Sequence, residues 1–200
     1  MSAALDGAVA ALAAGEVIVL TGDRLRGGDI DFAVAARHAT PEAVNFMATH
    51  GRGLICLCLT PEHAMRLGIS LINPGADRQS GRPHGRSIEA RRGVSTGISA
   101  ADRAQTIAVA VNPASTGDDL VSPGHVFPLI AAAGGVAERP AALEAAIELV
   151  RRAGAGDAAV ICSILREDGE MARLDDVAGL IAQFGLKTAD IGDLLTPAQV

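Results

Sequence analysis

The chain has no tryptophan, no tyrosine and only four phenylalanines in 200 residues. Its core must therefore be built from Ala, Val, Leu and Ile, which a hydrophobic content of 49% supplies. The same shortage removes the aromatic platforms on which single-stranded nucleic acids stack. A basic surplus is missing as well. A net charge of -6 and a pI near 5.3 oppose a general polyanion binder but leave room for one phosphate in a local pocket. The three cysteines, Cys56, Cys58 and Cys162, show no disulfide framework, as expected of reduced thiols in a cytoplasmic protein. Cys56-Leu57-Cys58 is not a CxxC pair, and its sulfurs are expected on opposite faces of a strand. No basic segment precedes an apolar one at the N-terminus, and no apolar run is long enough to cross a bilayer. The patterns HExxH, GxGxxG and the P-loop are all absent. The expectation is no nucleic acid, no membrane, and one domain over residues 1–200.

What is present alternates helix and strand signals. An Ala-rich helix runs from Leu5 to Ala14 and stops at Gly15. Glu16 to Leu20 and Ile30 to Ala35 read as strands, with a charged, Gly-containing loop between them. Thr40-Pro41-Glu42 and Thr60-Pro61-Glu62 both read as an N-cap followed by proline at the first helical position. Their helices end near Gly51 and Gly68, and Leu54 to Leu59 is a buried strand between them. Residues 73–85 read as a mobile loop. Ser99 caps a helix through Val111. Leu143 to Ala153 and Asp175 to Phe184 are further helices, and Ala158 to Leu165 is a strand. The class is α/β or α+β.

Three stretches carry chemistry. Ser122-Pro123-Gly124-His125-Val126-Phe127-Pro128-Leu129 reads as a rigid Pro-Gly turn that fixes one histidine, suited either to proton transfer near neutral pH or simply to packing. Ser95-Thr96-Gly97-Ile98-Ser99 precedes a helix N-terminus, where free N–H groups attract anions; ordinary capping by Ser99 and Asp102 is the bland alternative. Asp23-Arg24-Leu25-Arg26-Gly27-Gly28-Asp29-Ile30-Asp31 offers guanidiniums for phosphate and carboxylates for proton transfer, or is a solvated charged loop. Among the other histidines, His50 and His63 are expected at the surface.

These stretches, with Thr40-Pro41-Glu42…Asn45-Phe46-Met47, Gly53 to Thr60, Ser95 to Arg103, Gly134-Gly135-Val136 and Asp168 to Arg173, stand in an order that resembles the 3,4-dihydroxy-2-butanone 4-phosphate synthases of riboflavin biosynthesis. The resemblance covers about Leu5 to Leu195. It implies an α+β fold, a mixed-sheet α/β sandwich, forming a homodimer. It also implies Mg2+-dependent conversion of ribulose 5-phosphate to dihydroxybutanone phosphate and formate. His125 and Asp29 fall on catalytic positions; Arg24, Thr96, Ser99 and Arg139 fall on substrate or phosphate-binding ones.

The chain departs from the family pattern at the metal. The two ligand positions, a glutamate and a histidine in the family, are Leu25 and Ala142, which offer no lone pair. The second acidic position of the early loop is Gly27, a substrate-contacting threonine is Leu143, and the glutamate after Cys162 is Ser163. His84 to Glu89 replaces an apolar run and adds positive charge. The expectation is therefore no metal cofactor and a small phosphorylated metabolite as partner. The implied function is divergent: altered, metal-independent proton-transfer or lyase-type chemistry. A non-catalytic paralogue in flavin metabolism is the alternative, and the authentic synthase reaction ranks behind both. Arg26, His84 and Ser163 are the residues open to a new role.

Overall fold

The computed structural model describes residues 2–72 and 82–195. Most of the expected loop over 73–85 thus lies outside the described residues. Seven strands form one mixed sheet: β1 (Ile18–Asp23), β2 (Asp29–Ala35), β3 (Arg52–Leu59), β4 (Ile88–Ala90), β5 (Leu120–Ile130), β6 (Ala159–Ile164) and β7 (Lys187–Asp190). Their order across the sheet is β4-β5-β3-β6-β2-β1-β7. The pairs β1–β7 and β3–β5 are parallel and the remaining four are antiparallel.

Helices cover both faces, so the molecule is an α+β sandwich. Period-two alternation sends Phe32, Val34, Leu57, Val160 and Cys162 to one face, against α2 (Pro41–Gly51) and α4 (Ala100–Val111). It sends Ala33, Ala35, Cys56, Cys58 and Ile161 to the other, against α1 (Ala3–Ala13) and α5 (Ala142–Arg152). Cys56 and Cys58 therefore share a face, contrary to the expectation, because residues two apart on a strand always do. Three of the four phenylalanines gather at one place: Phe46 lies 5.4 Å from Phe32 and 5.0 Å from Phe184 between ring centroids. The ring of His50 closes the group at 4.7 Å from Phe46, so this histidine is half-buried rather than a surface residue.

The helix starts follow the sequence signals. The hydroxyls of Ser2, Thr40, Thr60 and Ser99 accept from Leu5, Ala43, His63 and Asp102 N–H at 3.3, 3.2, 3.2 and 3.0 Å. Proline opens both α2 and α3 (Pro61–Arg66), and Gly185 ends α6 (Leu174–Phe184) in the left-handed region. His63 is buried, not at the surface, and its Nε2 lies 3.1 Å from the Ala110 carbonyl oxygen.

The Pro-Gly-His stretch is not a free turn. It lies inside β5, where the pairing with β4 jumps from Ile88↔Val126 to Glu89↔Val121. The residues between form a bulge. A Cβ on Gly124 would meet the Ile88 carbonyl oxygen at 2.1 Å, so only glycine lets the two backbones close there.

Candidate active site

At one end of the sheet, on the α1/α5 face, the strands present polar residues in place of the apolar ladder. Asp31 of β2 is the register partner of Ser163 of β6. β3 follows, and then β5 with His125. Two strands thus separate the strand of Asp29 and Asp31 from that of His125, and three spacings of about 4.8 Å put the two strands roughly 14 Å apart. Asp29 and His125 share an end and a face of the sheet but lie on well-separated strands.

Each carboxylate on β1 and β2 has a partner. Asp31 is fully buried. Arg82 Nη2 donates to its two oxygens at 2.6 and 2.8 Å, and the Ser163 hydroxyl donates to Oδ1 at 2.8 Å. Asp29 accepts from Arg26 Nη2 at 3.0 Å and from Arg173 Nη1 at 2.9 Å. Asp23 accepts from the Ala142 N–H at 3.0 Å and so caps α5, whose own N-cap residue Ala141 has no side-chain acceptor. Burial raises the Asp23 pKa above the ordinary carboxylate range, and the Ala142 N–H offsets this only in part.

His125 has its own carboxylate. Its Nδ1 lies 2.9 Å from Glu89 Oε2. Glu89 is nearly buried, and its Oε1 has no hydrogen-bond partner among the described residues. Gly97 packs so closely that a Cβ there would overlap the Glu89 carboxylate at 1.8 Å. The Ser95–Ser99 segment, with Thr96 and Ser99 exposed, therefore sits beside the His125–Glu89 pair. Three of its donors are already used. Asp102 accepts from Ser95 N–H at 3.1 Å, Ser95 hydroxyl at 2.8 Å and Gly97 N–H at 3.0 Å, and these bonds hold its pKa below the ordinary value. The chain's own carboxylate thus occupies the Gly97 N–H, one of the groups that sequence reading offered to a phosphate, together with both donors of Ser95.

Arg24 opens the 3-10 turn Arg24–Arg26 and is exposed. Arg139 is buried, with Nη1 3.4 Å from Glu144 Oε1. Two cavities flank this region. One, about 420 Å³, is lined by Leu25, Pro83, Ile130, Ala132, Glu138, Arg139 and Pro140. The other, about 430 Å³, takes the next residues along each segment, Arg26 and His84, together with Arg52, Arg82, Cys56 and Ser163. Burial and the charges of Arg82 and Arg26 lower the His84 pKa.

A divalent ion does not fit the residues present. Hard cations require several oxygen ligands. Leu25 and Ala142 offer none, Asp29 and Asp31 are paired with arginines, and Asp23 gives one oxygen to the Ala142 N–H, which leaves its Oδ1 as a single carboxylate oxygen without a partner among the described residues. The described residues contain no group of three or more His, Cys, Asp or Glu able to hold a metal.

Sequence reading gave no role to Arg82, Glu89 or Arg173, and counted Asp31 only as one carboxylate of a charged loop, not as a buried, paired one. The signal for Asp31 was present: a charged residue inside the inward-facing pattern of Asp29–Ala35 requires a buried partner. Arg82 sits fifty-one positions away and could not be paired with it from spacing.

Residues 6–196 match the model of the 3,4-dihydroxy-2-butanone 4-phosphate synthase family. The chain is 44% identical over 183 residues to the riboflavin biosynthesis protein RibBA of Aquifex aeolicus, covering 90% of this chain and 45% of that protein. It is 41% identical over 187 residues to a 3,4-dihydroxy-2-butanone 4-phosphate synthase of Neisseria meningitidis, covering 94% and 52%. The chain thus spans about half the length of these curated relatives. Among solved structures, a two-domain synthase from A. baumannii superposes with a TM-score of 0.89 at 41% identity, over 95% of this chain and 56% of that one. A synthase in complex with two magnesium ions superposes at 0.88 and 34% identity, over 95% and 94%.

These likenesses correct the functional expectation. The departures at Leu25, Ala142 and Ser163 suggested altered chemistry or a non-catalytic paralogue. Relatives at 41–44% identity over at least 90% of the chain carry the synthase name, and they support the authentic reaction instead. Five changed positions, Leu25, Gly27, Ala142, Leu143 and Ser163, stand against similarity along the whole chain.

Proposed function

Because the chain belongs to the 3,4-dihydroxy-2-butanone 4-phosphate synthase family, we propose that it forms 3,4-dihydroxy-2-butanone 4-phosphate from ribulose 5-phosphate, as a step of riboflavin biosynthesis in the cytoplasm. The observation that carries this reading is identity above 40% to named synthases along nearly the whole chain.

In this reading His125 and Asp29 move protons, and Arg24, Thr96, Ser99 and Arg139 contact the substrate or its phosphate. Glu89, at 2.9 Å, orients the His125 ring and selects its tautomer. Arg139 is held by Glu144 beside the cavity that also takes in Leu25. A homodimer is part of the proposal, because one chain carries Asp29 and His125 on strands separated by two others. The magnesium named for a solved relative finds no ligand set among the described residues, and no step is routed through it.

The test is direct. The purified chain is incubated with ribulose 5-phosphate and Mg2+, and the phosphorylated four-carbon product is followed by NMR. Product formation that falls about 10²- to 10⁴-fold in His125→Ala supports the reading. No product over background overturns it.

A further inference from the structure

Positive charge lines the cavity that neighbours the one taking in Leu25. The cavity of about 430 Å³ is lined by Arg26, Arg52, Arg82 and His84, with Ser163 among them, and by no carboxylate among the described residues. Asp29 and Asp31 lie outside the lining and anchor Arg26 and Arg82, while Arg52 donates to the Leu165 carbonyl oxygen at 3.1 Å and lies 3.7 Å from Glu167 Oε1. Both contacts of Arg82 to Asp31 come from Nη2, so the carboxylate takes one end of a five-donor fork. Arg26 is tied to Asp29 by Nη2, while its Nε is buried with no partner among the described residues. Arg52 adopts φ +64°, the only positive φ of a non-glycine among the described residues. A left-handed arginine is strained, and here the strain falls at the wall of a charged cavity. Burial first, and then the charges of Arg82 and Arg26, lower the His84 pKa.

We infer that this cavity is an anion site whose charge is built into the chain: the guanidiniums of Arg26, Arg52 and Arg82 receive the phosphate or another oxyanionic group of a small metabolite without a divalent ion. Arginine forks match such groups bidentately, and a cleft lined by one sign of charge concentrates the opposite one. Asp31 acts here as a positioning residue: pinned by the Ser163 hydroxyl, it sets the plane of the Arg82 fork. That the ligand is a sugar phosphate rests on the proposed function; the charge of the site does not.

The test uses inorganic phosphate as probe, titrated into the full chain by calorimetry in EDTA, with sodium chloride at matched ionic strength as control. Binding should occur in EDTA and should not strengthen when Mg2+ replaces the chelator. It should weaken at least tenfold in the paired variant Arg82→Gln/Asp31→Asn, which leaves no buried charge alone. Arg52→Gly should weaken it as well while relieving the left-handed strain, and this variant decides the matter if the paired one does not fold. Binding seen only with Mg2+, binding no stronger than chloride's, or binding unchanged in the folded variants overturns the inference. Product formation is scored separately. Turnover without phosphate binding in EDTA removes the site and leaves the proposed function standing; binding without turnover does the reverse.

Discussion

Ser163 donates its hydroxyl to Asp31 Oδ1 at 2.8 Å across the β2–β6 pair, and the two are register partners. The resemblance places a glutamate where Ser163 stands. An acidic group is therefore still present at this point of the sheet, carried by the neighbouring strand and held in place by Arg82.

Removing that carboxylate leaves a guanidinium stranded. The Arg82 side chain is only 9% exposed, and breaking one half of a buried pair costs about 3–5 kcal/mol. Asp31→Ala should lower the urea unfolding free energy by that amount. Ser163→Ala, which deletes one hydrogen bond, should cost about 1 kcal/mol. The double change Asp31→Ala/Arg82→Leu should recover much of the loss. Equal destabilisation by all three would show that the pair is not coupled.

Asp23 gives a stability change of definite sign. Burial raises its folded-state pKa, so the folded chain keeps a proton that the unfolded chain releases near pH 4. Stability falls as pH rises from the unfolded value through the folded one. Asp23→Asn retains an oxygen for the Ala142 N–H and removes the titration. Relative to this variant, the parent should lose stability just above pH 4 and then run parallel. A constant difference from pH 3 to pH 7 would refute this.

Asp102 runs the opposite way. Ser95 and Gly97 hold its pKa low, so its contribution is present above about pH 4 and disappears as pH falls through the lowered value. Asp102→Asn should therefore show a shallower acid unfolding limb. Identical limbs in variant and parent would rule this out.

The thiols should be silent. Burial pushes Cys56 up to about 11 and Cys162 up to about 12, and Cys58 well above its ordinary value. A thiolate is the reactive species. A disulfide reagent at pH 8 should titrate none of the three in the native chain and all three in denaturant. Rapid labelling of the native protein would contradict the packing of Cys56 beneath the arginine cavity.

Local chemistry was legible in the sequence, and long-range pairing was not. Thr40-Pro41, Thr60-Pro61 and Ser99 announced their helices because a cap and its acceptor lie within four residues. The strand of residues 54–59 was visible as an unbroken apolar run. β7 was not, because Lys187-Thr188-Ala189-Asp190 has no apolar periodicity and becomes a strand only through its pairing with β1. β5 was hidden by its prolines and Gly124, which signal a turn in isolation but build a bulge against Ile88. At the site, ordered motifs placed His125 and Asp29, but the partners that define their surroundings, Glu89 and Arg173, lie thirty-six and 144 positions away.

The pairing of β7 with β1 also sets an order of events. β1 is flanked on one side by β2, which follows it directly, and on the other by Lys187–Asp190, nearly at the far end of the chain. The Ser2 hydroxyl donates to Asp193 at 2.7 Å in the same corner. During synthesis the outer side of β1 therefore waits for residues made more than 160 positions later, with its N–H and C=O groups unpaired in the interval. Such non-local closure is slow and exposes a strand edge to other chains. On this topology, yield at high expression temperature should be limited by the lateness of one short strand rather than by the stability of the finished sheet.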